Sequence, residues 1–321
     1  MQLQITHQTH YDYAPAVDIA QHMAYLQPLT SANQQLLAHS LHISPEPAQS
    51  SSAVDVYGNL RQFFSLQSPH QQLTVVARSV VSTRALPPPS SEMCWEDARE
   101  LFRYSAHTHY DAAAEFVFPS PYVPRHPDFA AYARPSFETD KPLVACARAL
   151  MHRIHREFTY ESQSTQINTP ALEALAQRKG VCQDFAHIMV ACLRALGLPG
   201  RYVSGYLLTQ PEPGQARLIG SDASHAWVSI YVPDAPAGQR WLDLDPTNDR
   251  DGWGSPGEDY VTLAVGRDYA DVSPIRGVIH GGANHILTVG VTVEPFEDLM
   301  ASRQTQGQNS GTGQSQSQSQ S

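Results

Sequence analysis

The fold is decided by residues 180–207, which read GVCQDFAHIMVACLRALGLPGRYVSGYL. Apolar side chains recur at helical spacing behind the first cysteine and form one side of a strong helix: Phe185, Met189, Cys192 and Leu196. Gly197 and Pro199 end this helix, because glycine favours the turn after a helix and proline cannot continue one. The following residues, RYVSGYLL, change to a strand pattern. The segment therefore predicts a helix that begins at Cys182 and leads directly into a strand.

Helices precede this segment and strands follow it. Apolar residues recur every 3.6 positions across residues 143–158, with Thr139 as the N-cap, and residues 170–177 read as another short helix. Three strand patterns lie downstream: HAWVSIYV (225–232), RWLDLD (240–245) and HILTVGVTV (285–293). Helices first and antiparallel strands afterwards predict an α+β domain.

The first 88 residues are predicted to form a separate β domain. Apolar and aromatic residues alternate with polar ones, so a half-buried strand begins almost at residue 1: Leu3, Ile5, Tyr11 and Tyr13 share one face. Further strands are expected near residues 37–43 and 72–82, with a turn at DVYGN (55–59), which favours a small sandwich or barrel. We expect three parts: the β domain at 1–88, the α+β domain at 89–300, and a disordered Gln/Ser tail at 301–321.

Charge and hydropathy exclude several kinds of partner. The chain has 321 residues and a formal net charge of −10, and no run of Lys or Arg stands out. Neither nucleic acid nor an anionic membrane is therefore an expected partner. No apolar run is long enough to cross a bilayer, and the first residues lack the regions of a secretory signal. These features predict a cytoplasmic protein and leave its oligomeric state undefined.

The four cysteines do not predict a disulfide framework in a chain of this length. Cys146 and Cys192 lie within apolar-periodic helices and read as buried thiols, and Cys94 has no assigned role. Cys182 is different because it opens a helix, where unpaired N–H groups and the positive end of the dipole favour the thiolate. A thiolate can act as a nucleophile. The alternative is that Cys182 is only a small residue packed beneath the helix start.

A His–Asp pair is predicted from two neighbouring strands. Alternation places His225 and Asp245 on the faces of their strands that point away from the leucines and other core residues. If the two segments form a hairpin with Val232 near Arg240, the start of the first strand meets the end of the second. His225 then lies beside Asp245, where the carboxylate could hold the imidazole in one tautomer. The alternative is a solvated histidine and a solvated carboxylate at a turn.

Three blocks in order, GVCQDFAHIMVACLRALGLPGRYVSGYL, DASHAWVSIYV and WLDLDPTND, resemble the bacterial transglutaminase-like proteins, a group often labelled cysteine proteases. The resemblance covers residues 158–248, and the N-terminal portion with DVYGN is similar to the β domain that precedes the core in that group. It implies a papain-like α+β core with Cys182 as nucleophile, His225 as general base and acid, and Asp245 as the orienting carboxylate. Asp245 is preferred over Asp243 because the acid of the family directly precedes Pro-Thr.

The resemblance implies a thiol-dependent enzyme that acts on amide bonds of a peptide or protein, without a cofactor. The thiolate attacks the carbonyl and forms a thioester, which water or an amine resolves. The Cys182 N–H is a natural oxyanion donor, and Gln183 and Tyr160 are candidates for a second. Three further residues could shape the pocket around His225: Asp222, Ser224 and Trp227. Tyr269 lies in a block, GRDYAD, that resembles a further block of the family and is expected to border the cleft.

Three alternatives remain at this point. Cys182, His187 and His225 could bind zinc, but their spacing is unusual and no second cysteine pair completes the ligand set. The fold could also serve as a binding module without activity, since fold does not fix function. Among enzymes, hydrolysis competes with side-chain deamidation and amine transfer, and hydrolysis is preferred because water is the default acceptor. No calcium-loop pattern is present in the sequence, so calcium activation is not expected.

Overall fold

The computed structural model describes residues 1–104, 110–161, 169–209, 224–282 and 284–296. Five strands open the chain: β1 (Gln2–Ala24), β2 (Gln34–Ser44), β3 (Gln49–Val54), β4 (Leu60–Leu66) and β5 (His70–Thr83). Mixed elements follow: α1 (Trp95–Leu101), a 3-10 helix (Ala112–Val117), α2 (Pro127–Ala133), a 3-10 helix (Arg134–Ser136), α3 (Leu143–Glu157), β6 (Thr159–Tyr160), α4 (Ala171–Gln177), β7 (Lys179–Gly180), α5 (Cys182–Ala195), β8 (Gly200–Leu207), β9 (Ser224–Tyr231), β10 (Trp241–Asp245), β11 (Arg250–Trp253), β12 (Tyr260–Gly266) and α6 (Tyr269–Val272). The last two elements are β13 (Ile275–Gly281) and β14 (Asn284–Pro295).

The N-terminal sheet is organised around the long strand β1. Its first part lies between β5 and β14, and its second part lies between β4 and β13. The expected alternation is present, since Leu3 and Ile5 are buried while Gln2 and Gln8 are exposed. Strands β2 and β5 cover the segments predicted near residues 37–43 and 72–82, and DVYGN forms the turn between β3 and β4. Residues from both parts of the sheet share one hydrophobic cluster.

The end of the described chain returns to this N-terminal sheet. The sequence HILTVGVTV forms most of β14, as a strand, and β14 pairs along β1 from Leu3↔Pro295 to Ala14↔Asn284. Strand β13 continues the same antiparallel pairing toward the end of β1. The strand predicted after residue 284 is therefore present, but it completes the N-terminal sheet and not the sheet of the α+β domain in which we expected it.

The middle of the chain, from α1 to α6, forms a domain that we call the central domain. Its main sheet is antiparallel, in the order β11-β10-β9-β8-β12, and α5 packs against it. The side chains of α5 from Asp184 to Arg194 are buried, so this helix runs through the core of the domain. After it, Gly197 takes a φ of 83°, the left-handed conformation predicted for the residue that ends the helix. The α+β prediction is confirmed.

The hairpin of β9 and β10 has the predicted register. Trp241 pairs with Tyr231, and the N–H of Val232 donates to the carbonyl of Arg240 at 2.7 Å. The start of β9 therefore lies beside the residues that follow β10. Within the described part of the chain, no helix is both long enough and apolar enough to cross a bilayer.

Candidate active site

Cys182 is the first residue of α5, and the residues around it fix the start of that helix. The Asp184 carboxylate turns back and accepts the N–H of Val181 at 2.8 Å, which satisfies a donor at the helix start. Asp184 is only 2% exposed. A Cβ added at Gly180 would lie 2.6 Å from its Oδ2, so only glycine fits there. Asp184, to which the sequence assigned no chemistry, therefore positions the helix that carries the thiol.

The structure brings Cys182, His225 and Asp245 together. Nε2 of His225 lies 2.7 Å from Oδ2 of Asp245. Cys182 lines the same cleft as His225 and lies close enough to contribute to the raised pKa of its imidazole. Burial acts to lower the pKa of His225, but the interactions with Asp245 and Cys182 outweigh it and raise the pKa to about 10.

Asp245 is held by more donors than the histidine alone. Its Oδ2 also accepts Nδ2–H of Asn248 at 2.8 Å and the hydroxyl of Tyr260 at 2.7 Å. Its Oδ1 accepts the backbone N–H groups of Thr247 at 2.9 Å and Asn248 at 3.3 Å. Burial acts to raise the pKa of this carboxyl, yet the bonds from His225, Asn248 and Tyr260 lower it, so Asp245 is a buried carboxylate.

Trp227 supports the histidine from beneath and does not line the cleft. Its ring stacks on the imidazole of His225, with 6.1 Å between ring centroids and 27° between planes. The indole is fully buried, and its N–H donates to Asp243 at 3.1 Å. Asp243 also accepts the hydroxyl of Ser229, so this acid contacts Trp227 and Ser229, whereas Asp245 contacts His225.

His187, considered as a zinc ligand, is buried in the central domain with other partners. Its Nε2 accepts the N–H of Tyr269 at 3.2 Å, and its ring stacks on Tyr122 at 5.3 Å between centroids. Burial lowers the pKa of His187 to about 3, so this imidazole is neutral. Across residues 1–104, 110–161, 169–209, 224–282 and 284–296, no group of His, Cys, Asp and Glu side chains could hold a metal ion.

A cleft opens in front of the thiol. Cys182 and His225 line it together with three residues predicted to contact substrate: Gln183, Tyr160 and Tyr269. Asp222, a fourth such residue, lies outside the described residues. The opposite wall comes from the N-terminal sheet, through β1 and β14. Sequence reasoning missed this wall, because nothing local in either strand indicates which surface it faces.

Tyr260 and Asn248 are the other residues that sequence reasoning missed. Asn248 stands three positions after Asp245, in the block DPTN, so its closeness to the carboxylate had a signal in the sequence. Tyr260 lies at the start of β12, at the far side of the sheet from β10, and no sequence spacing connects it with Asp245. The fold alone brings its hydroxyl to the site.

A thiol at the start of a buried helix, in one cleft with a His–Asp pair on an antiparallel sheet, is an arrangement typical of enzymes with a thiol nucleophile. The family model "Bacterial transglutaminase-like N-terminal region" matches residues 3–82, and "Transglutaminase-like superfamily" matches residues 130–246. The chain belongs to the transglutaminase-like superfamily.

Relatives of similar length match nearly the whole chain. An uncharacterized protein of Mycobacterium tuberculosis is 42% identical over 300 residues, 91% of this chain and 92% of the relative. A protein-glutamine gamma-glutamyltransferase of Pseudomonas aeruginosa is 32% identical over 108 residues, which cover 31% of this chain and 16% of that protein. Among solved structures, a "putative cysteine protease" from Cytophaga hutchinsonii has a TM-score of 0.69 and 22% identity, over 92% of this chain and 91% of that one. That structure bears on the fold alone.

Proposed function

We propose that this protein is a cysteine-dependent amidase that hydrolyses an amide bond of a peptide or protein through a thioester on Cys182. His225 acts as the general acid and base, and Asp245 orients it. The observation that carries the proposal is the position of Cys182 at the start of α5, in one cleft with His225, whose Nε2 lies 2.7 Å from Oδ2 of the buried Asp245. We also propose a cytoplasmic location, a peptide or protein as the substrate, and neither nucleic acid nor a membrane as a partner.

The proposed reaction has two steps, acylation of Cys182 and hydrolysis of the thioester. The sulfur of Cys182 attacks the carbonyl carbon of the substrate amide, and the tetrahedral oxyanion takes a hydrogen bond from the N–H of Cys182 at the start of α5. His225 donates its proton to the amide nitrogen, so the C–N bond breaks and the amine leaves. Water then attacks the thioester while His225 takes its proton. The C–S bond breaks, an acid is released, and Cys182 is regenerated.

The raised pKa of His225 supports its role as the acid. With a pKa of about 10, the imidazole is protonated at neutral pH and can give its proton to a leaving amine. A histidine with an ordinary pKa would be mostly neutral under the same conditions. Asp245 stabilises the protonated form, and Asn248 and Tyr260 keep the carboxylate in its place.

Amine transfer is the second candidate, and it is favoured by the similarity to the gamma-glutamyltransferase of Pseudomonas aeruginosa. Transfer and hydrolysis share the thioester and differ only in the group that resolves it. Deamidation of a glutamine side chain is the same first step followed by water. The acceptor must therefore be measured separately from the acylation.

The test is to trap the thioester and then to identify its acceptor. Protein is incubated with a library of glutamine-containing peptides, quenched in acid, and examined by mass spectrometry for acyl groups on Cys182. Cys146 and Cys192 are internal controls, because both thiols are buried in helices. Cys182→Ala should give no adduct and no turnover while the fold stays intact.

The acceptor is read in the same reaction from ¹⁸O-labelled water and a fluorescent primary amine. Incorporation of ¹⁸O into the product acid supports hydrolysis. Cleavage of the peptide chain then distinguishes peptidase activity from deamidase activity. Incorporation of the amine supports transfer instead. Full turnover by Cys182→Ala would overturn the proposal.

A further inference from the structure

The wall that faces Cys182 is built by the paired strands β1 and β14. Tyr11 pairs with Leu287 and Thr9 pairs with Val289, and all four side chains line the cleft. One strand lies near the beginning of the chain and the other near the end of its described part. The N-terminal sheet is therefore part of the candidate active site and not only an attached domain.

The surface that this wall offers is apolar and open. Leu287 is 47% exposed and Val289 is 49% exposed, whereas Val291 and Val293, on the same face of β14, are buried in the core. No Asp, Glu, Lys or Arg stands between residues 284 and 293. On this face of β14, apolar side chains are thus left open where the strand lines the cleft and are buried further along it, which is typical of a surface that binds a ligand.

Two polar residues of the wall, His7 and Thr9, already have hydrogen-bond partners within the protein. Nδ1 of His7 bonds to the hydroxyl of Tyr206 at 2.9 Å, and Nε2 of His7 bonds to the hydroxyl of Thr9 at 3.1 Å. Burial lowers the pKa of His7 to about 4, so this histidine adds no charge near neutral pH. The wall therefore offers a substrate apolar contacts and no charge to pair with.

We infer that Tyr11, Leu287 and Val289 form a subsite for a bulky apolar side chain next to the substrate amide that acylates Cys182. The subsite selects uncharged, apolar sequence around that amide, because a carboxylate placed on this wall would lose its water and meet no cationic side chain among the three residues. Tyr160, 55% exposed and lining the same cleft, adds a further apolar contact for the substrate. This inference rests on the proposed function of Cys182 as the nucleophile.

Three alkylating probes test the subsite without a known substrate: iodoacetamide, N-iodoacetyl-leucinamide and N-iodoacetyl-aspartamide. Each transfers its carbon to the sulfur of Cys182 and releases iodide, and mass spectrometry gives the rate at Cys182. With the iodoacetamide rate as reference, we expect the leucine probe to react at least about tenfold faster than the aspartate probe. The two probes should differ in the concentration that gives half of the maximal rate and not in the maximal rate itself.

Variants of β14 locate the effect. The double variant Leu287→Asn with Val289→Thr keeps the size of both side chains and should reduce the preference to less than about threefold. Each variant's rates are divided by its own rate with iodoacetamide, so that only the preference between the two amino-acid probes is compared. The matched control is Ile286→Thr, because Ile286 is 69% exposed on the same strand and does not line the cleft. This control should keep the full preference.

The possible outcomes distinguish a failure of the apolar subsite from a failure of Cys182 as the nucleophile. Equal rates for the two amino-acid probes on a reactive Cys182, or an equal loss of preference in Ile286→Thr, would overturn the subsite alone. A Cys182 that reacts with iodoacetamide no faster than the buried Cys146 would overturn the proposed nucleophile, and the subsite with it. Thermal unfolding of each variant shows that the comparison is made between folded proteins.

Discussion

Replacement of Asp245 by asparagine tests the site most directly, because this residue takes part in both folding and chemistry. Its Oδ2 accepts three hydrogen bonds and its Oδ1 accepts two. Asparagine keeps one acceptor oxygen, so either orientation of its amide turns the NH₂ group toward at least two donors. A buried donor without an acceptor costs about 1–3 kcal/mol, so we expect Asp245→Asn to lower the free energy of unfolding by about 2–6 kcal/mol.

The loss should depend on pH through His225. The pKa of His225 is raised from 6.5 in the unfolded chain to about 10 in the fold, so its contribution to stability is complete below pH 6.5 and disappears as pH rises through 10. The hydrogen bond with Asp245 is the largest single contribution that raises this pKa, so the gap in stability between wild type and Asp245→Asn should be larger at pH 6 than at pH 10. Urea denaturation at both pH values measures it. Turnover should fall on the order of 10³-fold or more, because the imidazole loses its orienting carboxylate.

Asp249→Asn is the matched control. Asp249 lies four residues away, takes a φ of 55° that asparagine tolerates, and pairs with His152 at the surface. Such exposed pairs contribute about 0–1 kcal/mol, so this variant should change stability little and turnover not at all. A stability loss in Asp245→Asn that is below about 0.5 kcal/mol, or that is the same at pH 6 and pH 10, would refute the reasoning, because it would mean that Asp245 does not stabilise a protonated His225.

Three further predictions concern the support of the site. Tyr260→Phe removes one donor to Asp245 but leaves the bond with His225, so we expect the free energy of unfolding to fall by about 1.5–3 kcal/mol and turnover to fall at unchanged KM. Wild-type stability and turnover in this variant would contradict the role of the hydroxyl. Gly180→Ala forces a Cβ against Asp184, so α5 should shift at its start and the iodoacetamide rate at Cys182 should fall; an unaltered rate would show that Asp184 does not position the thiol. Burial lowers the pKa of His7 to about 4 and that of His187 to about 3, so stability should decline as pH falls from 6.5 toward 3, and a flat profile measured by urea denaturation would be against it.

The parts of the fold that were predictable from sequence are those with a local pattern. Alternation showed the half-buried start of β1, and apolar periodicity showed α5 with its end at Gly197. The hairpin was predictable because β9 and β10 follow each other in the sequence, with only residues 233–239 between the paired Val232 and Arg240. The register of this hairpin is also why His225 and Asp245 could be paired in advance. Cys182 could be added only through the resemblance of three ordered blocks, since no spacing relates α5 to the hairpin.

The remaining parts depend on contacts that sequence periodicity does not encode. Alternation put Trp227 on the face away from the helices, but it could not show that Tyr260, Val203 and Val265 cover that face and bury the indole. In the same way, the sequence pattern of β14 predicted that the segment forms a strand but did not predict which strand it pairs with. A strand with apolar residues on one face fits either sheet, and only the long-range pairing with β1 decides between them.

The pairing of β1 with β14 links the stability of the protein to the shape of its cleft. On the inner face of these strands, Leu3 and Val293 lie in the same hydrophobic cluster as Phe185 of α5, so the N-terminal sheet and the helix of the thiol share one core. A few residues along the same strands, Tyr11 and Leu287 leave that core and line the cleft. A change that separated the sheet from the central domain would therefore expose the core and remove the wall opposite Cys182 together. The N-terminal domain and the candidate active site consequently form one unit, in which the residues that confine a substrate are continuous with those that stabilise the fold.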